Sequence, residues 1–179
     1  MKRLIALAIM AFLAGGIASA QHGHGNCGNC PHHAQHAKQQ QAPQPQVNAD
    51  GIDMTVVAAF PTVKSLTKKG NWTEVKDAQQ KLLGYVVYSK PASDTIRGFN
   101  GETPVVIAFN TKKVITGVYA LPNMETPKFA QHVQDAGFYN NWNGLTVKQA
   151  RKKKVDTVSG ATYTSRAVAL SVQAALEKL

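Results

Sequence analysis

Two stretches of the 179-residue chain concentrate residue types that can do chemistry. The first is "VDTVSGATYTS", Val155 to Ser165, where hydroxyl groups crowd around Gly160 and Ala161 ahead of a segment with helical spacing. A helix N-terminus leaves backbone N–H groups without partners and carries positive partial charge, so it welcomes an anion such as a phosphate. Gly160 lets the backbone approach a ligand and adopt φ > 0. Ala161 adds no bulk, and Thr162 presents a hydroxyl where a phosphate would sit. Ser and Thr are also favoured N-caps with no ligand at all. Local physics therefore leaves two readings open, an anion-compatible helix start and an ordinary cap.

The second stretch is "HGHGNCGNCPHH", which holds His22, His24, Cys27, Cys30, His32 and His33. His and Cys are the usual ligands of zinc and copper. Covalent haem needs C-x-x-C-H, and Pro31 stands where that histidine would be. Three readings remain: a zinc or copper site on these six residues, a Cys27–Cys30 disulfide formed in an oxidising compartment, and a tail with no dedicated ligand.

The elements that must position the first stretch follow from periodicity. "MTVVAAFPTVKSL" opens as a helix that Pro61 breaks or restarts. "NWTEVKD" and "KLLGYVVYSK" read as strands about a turn at Ala78 to Gln80, and "PVVIAFN" and "KVITGVYAL" as a hairpin turning at Asn110 to Lys112. Phe129, Val133 and Ala136 have helical spacing, stopped at Gly137. A short helical turn lies in "NWNGLTVKQARKKK". Val168, Val172, Ala175, Leu176 and Leu179 mark one face of a C-terminal amphipathic helix. The expected class is α+β, a small antiparallel sheet of about four strands packed with helices.

Lys2 and Arg3, an apolar run and "ASA" before Gln21 make a secretory signal peptide over residues 1–20. The run is too short and too Gly-interrupted to favour a spanning helix, so no stable transmembrane segment is expected after cleavage. Residues 21–50 have almost no large apolar side chains and read as a disordered His/Cys/Gln-rich tail and linker. Residues 51–179, about 130 in number, suffice for one domain with a single core. The formal charge of +10 suits an anionic cofactor, a membrane surface or nucleic acid, and export argues against nucleic acid. Arg151 to Lys154 either add positive potential near Thr162 or form a solvated patch.

"DTVSGATYTS" resembles the flavinylation motif of the FMN-binding domain family, Asp-x-x-Ser/Thr-Gly-Ala-Thr-x-x-Ser/Thr. That family includes flavin subunits of sodium-pumping NADH:quinone reductase and of the Rnf complex, and small exported flavoproteins. Asp156, Ser159, Gly160, Ala161, Thr162 and Ser165 match position by position. The resemblance implies that Thr162 carries FMN through a phosphoester made by a flavin transferase from FAD with a divalent metal. "GFNGETPVVIAF" and "METPKF" resemble two further family segments and make Glu125 and Thr126 candidates for cofactor contact. Lys128 and Asn100 stand where the family often has glycine.

The flavin would carry the redox chemistry, and the protein would supply position and tuning. The folded part shows no Ser/His/Asp set and no nicotinamide-binding glycine fingerprint, and His132, its only histidine, reads as a surface or packing residue. Phe99, Tyr139, Trp142 and Tyr163 are aromatic candidates for stacking on the ring. The reading is an exported electron carrier, periplasmic or on the outer face of the cytoplasmic membrane. It would pass electrons between redox partner proteins, membrane-bound ones among them. The alternative is a metal-binding protein that acts through its His/Cys tail.

Overall fold

The computed structural model describes residue 44 and residues 46–179. Cys27, Cys30, His22, His24, His32 and His33 lie outside the described residues, as do the expected signal peptide and most of the tail.

Helix α1 (Met54–Ala59) starts at Asp53, whose carboxylate accepts the Thr55 N–H at 2.7 Å, and Pro61 follows its end. Five strands then run as an antiparallel meander: β1 (Ser65–Lys69), β2 (Trp72–Lys76), β3 (Leu82–Tyr88), β4 (Val105–Phe109) and β5 (Ile115–Ala120). Helices α2 (Pro127–Asp135), α3 (Val147–Lys152) and α4 (Thr162–Glu177) complete the fold, with a 3₁₀ turn at Phe138–Trp142. The class is α+β, as the sequence indicates. The strand beyond the expected four is β1, which pairs with β2 from Ser65↔Lys76 to Lys69↔Trp72 around a two-residue Gly70–Asn71 loop. Its outer half is polar and exposed, so it lacks the apolar alternation that marks a half-buried strand.

Strand β4 sits in the middle of the core and is buried at every position. Its alternate side chains divide two apolar clusters. Val105, Ile107 and Phe109 face α4, the 3₁₀ turn and α2, while Val106 and Ala108 face α1. Helices thus cover both faces of the sheet. Val168, Val172 and Leu176 recur along α4 and are almost wholly buried against the first face. Each contributes about 2 kcal/mol by leaving water. That burial fixes α4, and with it the place where its N-terminus opens.

Candidate functional site

The motif folds as a tight turn that delivers the chain into α4. Ala161 N–H donates to the Val158 carbonyl at 3.0 Å, and Gly160 takes φ +78°, a conformation open to glycine and strained for other residues. Ser165 is fully buried and stitches the turn from below. Its Oγ accepts the Val158 N–H at 3.0 Å and donates to the Ala161 carbonyl at 2.9 Å. From the other side, His132 on α2 places Nε2 2.8 Å from the Ser159 carbonyl. A carbonyl oxygen only accepts, so Nε2 carries the proton. His132 is therefore a pin on the motif turn, a role its sequence context does not disclose.

The first residue of α4 is Thr162, which is exposed. The N-cap is Ala161, and no side chain caps the helix start. None of the motif's hydroxyls acts as the ordinary cap that Ser and Thr prefer, although a side-chain cap is worth about 1 kcal/mol. Asp156 and Ser159 are exposed on the approach to the turn.

Thr162 opens on a cavity of about 250 Å³ lined by Phe99, Phe129, Gly160, Ala161, Tyr163 and Thr164. Phe99 is 61% exposed and meets Phe129 edge to face, with ring centroids 4.9 Å apart. A neighbouring recess of about 480 Å³ shares Phe129 and Gly160 and adds Lys128 and His132. Of the aromatic candidates, Phe99 and Tyr163 stand at the cavity. Tyr139 and Trp142 are packed into the core.

Glu125 is 6% exposed, and its carboxylate is occupied by the backbone. Oε2 accepts the Phe99 N–H at 2.8 Å, and Oε1 accepts those of Asn100 at 2.8 Å and Thr126 at 3.0 Å. Charge-assisted bonds of this kind are strong. They clamp the Gly98–Gly101 loop, and hence Phe99, to the segment before α2. Gly98 is required because a Cβ there would lie 1.8 Å from Oε2. Asn100, where glycine is common in the family, adds a side-chain bond to the Met124 carbonyl at 2.6 Å. Thr126 is the N-cap of α2, half-buried, and its side chain makes no capping bond.

Arg151, which opens the basic run, does not lie at Thr162. Arg151 donates through Nε and Nη2 to the Leu176 carbonyl at 3.0 and 2.9 Å, capping the far end of α4. At about 1.5 Å per residue that end is roughly 20 Å from Thr162. Arg151 is a C-terminal cap of the helix, the position where its charge complements the macrodipole. Among the described residues, no group of three or more His, Cys, Asp or Glu side chains is placed to hold a metal ion.

Residues 98–177 match the FMN-binding domain family. These residues form an FMN-binding domain. The matched segment spans the Phe99 loop, the Glu125 clamp and the whole of α4, so every wall of the cavity lies within the domain. The chain is 29% identical over 89 residues to a subunit of the ion-translocating oxidoreductase complex of Shewanella piezotolerans, 44% of this chain and 42% of that one. It therefore spans less than half of that relative's length. It also resembles the crystal structure of Shewanella oneidensis NqrC, at 22% identity with a TM-score of 0.41, over 72% of this chain and 70% of that one. Within the FMN-binding domain, Phe129 and His132 are the site residues that sequence reasoning misses. Both lie on one face of α2, three residues apart, in a segment whose spacing speaks only of a helix.

Proposed function

We propose that the protein is an exported electron carrier with FMN joined to Thr162 by a phosphoester. The observation that carries this reading is the uncapped N-terminus of α4, with an exposed threonine as its first residue and an aromatic-walled cavity beside it. A phosphodiester keeps one negative charge, and the free N–H groups and dipole of α4 favour that charge by about 0.3–1 kcal/mol. The neighbouring recess, about 480 Å³, falls in the size range of small-molecule sites, ~300–1,000 Å³, and the cavity itself, about 250 Å³, lies just below it. Phe99 and Phe129 offer an apolar wall to the ring, and Tyr163 stands at the rim.

A threonine hydroxyl is a weak nucleophile unaided, so the bond calls for a flavin transferase. The Thr162 Oγ–phosphorus bond forms, the pyrophosphate bond of FAD breaks, the hydroxyl proton is lost and AMP leaves. Ser165 and His132 hold the turn so that Thr162 is presented outward. The attached flavin supplies reversible electron uptake and release. A covalent tether suits an exported protein, because a flavin released outside the cell is diluted, whereas a tethered one stays at high effective concentration. The basic n-region, apolar run and "ASA" support export, and no helix among the described residues is long and apolar enough to cross a membrane. The electron partners are redox proteins, membrane-bound ones included.

The reading is tested on protein purified from cells that express a flavin transferase. A flavin spectrum that survives denaturation and gel filtration is expected, with reversible anaerobic bleaching by dithionite in the native protein. Colourless protein, from cells in which the transferase modifies a control substrate, overturns it.

A further inference from the structure

Beneath the flavin cavity lies a second, much smaller space of about 10 Å³, walled in part by Thr103, Asn123, Glu125, Tyr139 and Thr164. Its volume matches the roughly 10–15 Å³ that one water molecule needs. Two of its wall residues present buried hydroxyls, Thr103 Oγ1 and Thr164 Oγ1, with no hydrogen-bond partner among the described residues. The residues are 4% and 2% exposed. A buried hydroxyl left unsatisfied forfeits its hydration with no return, so two around one space are not a neutral arrangement. Another polar wall residue is Glu125, with its carboxylate. It has about four acceptor positions, and three are taken by the N–H groups of Phe99, Asn100 and Thr126.

We propose that this space is a binding site for a single structural water, which joins Thr103 Oγ1 and Thr164 Oγ1 to the remaining acceptor position of Glu125. Each orphaned hydroxyl oxygen then gains a partner: the water donates to the carboxylate and to one hydroxyl and accepts from the other. The consequence reaches the flavin cavity. Thr164 belongs to the first turn of α4, two residues after Thr162, and it lines the cavity as well as the inner space. Glu125 holds the loop that carries Phe99. The water is then the polar tie between the two opposite walls, and Thr103 and Thr164 are its positioning residues. The tie does not depend on whether Thr162 bears a flavin.

The test uses flavin-free protein from cells without a transferase, so its outcome is independent of the attachment chemistry. Thr103→Val and Thr164→Val each replace a hydroxyl by a methyl of similar shape. The two substitutions should be coupled by about tenfold in the unfolding equilibrium constant, because the second strands no water that the first has not already displaced. Thr103→Ser keeps the hydroxyl and should keep the coupling. Amide exchange at Phe99 and Asn100 should speed several-fold in Thr164→Val, although Thr164 bonds to neither. Additive stability effects together with unchanged exchange at Phe99 and Asn100 would overturn the proposal. So would an atomic-resolution map of the wild type without density between the two hydroxyls.

Discussion

The Glu125 carboxylate accepts the backbone N–H of Phe99 at 2.8 Å, so a buried anion sets the place of an exposed aromatic ring beside Thr162. Sequence resemblance makes Glu125 a candidate for touching the cofactor. The structure gives it three backbone N–H groups to hold. Glu125→Gln keeps the size but turns an NH₂ group toward N–H donors. It should lower stability by about 2–3 kcal/mol in denaturant unfolding, with faster amide exchange across residues 98–101. Unchanged exchange in that loop would contradict the clamp.

Ser165 ties the two ends of the motif turn through one hydroxyl. Ser165→Ala leaves the Val158 N–H without its partner and should cost about 1–2 kcal/mol, with lost amide protection at Val158. Far-UV circular dichroism should be unchanged, because the Ser165 N–H still bonds the Ala161 carbonyl at 2.9 Å.

Gly160 has φ +78°, and a Cβ there would meet nothing nearer than His132 Nε2 at 3.7 Å, an ordinary contact. Gly160→Ala should therefore cost about 1–2 kcal/mol through backbone strain alone. Adding His132→Ala should not restore stability in thermal unfolding. Recovery in the double variant would mean that crowding sets the cost.

Burial pushes the Tyr139 phenol up to about 12. The native state then keeps this proton after the unfolded chain, with a phenol near the ordinary ~10, has released it. Its contribution is fully present below about pH 10 and is lost as pH rises through about 12. By linkage the loss is on the order of 2–3 kcal/mol. Denaturant midpoints across that window should fall less steeply for Tyr139→Phe than for the wild type.

Much of this architecture is legible in the chain. The β-branched run in "PVVIAFN" marks β4, and the recurrence of Val168, Val172 and Leu176 marks the buried stripe of α4. Strand β1 is hidden because an edge strand with lysines pointing to solvent has no alternation, and the Gly70–Asn71 hairpin loop is its one local signal. The motif turn is legible as a place where a helix starts. Its dependence on His132 is not, because that contact spans 27 residues and periodicity reports only neighbours along one element. Arg151 illustrates the converse. A basic residue in the run just before the motif looks close to Thr162 in sequence, yet the segment between them runs the length of α4 and leaves Arg151 at the opposite end.

The most direct test of the central claim is the mass of the proteolytic peptide containing Thr162, from protein made with a flavin transferase, beside Thr162→Ala. The account predicts a peptide heavier by one FMN less one water, fragment ions that place the addition on Thr162, and an unmodified peptide from the variant. An unmodified wild-type peptide, with the transferase active on a control substrate in the same cells, or an addition that persists in Thr162→Ala, would contradict it.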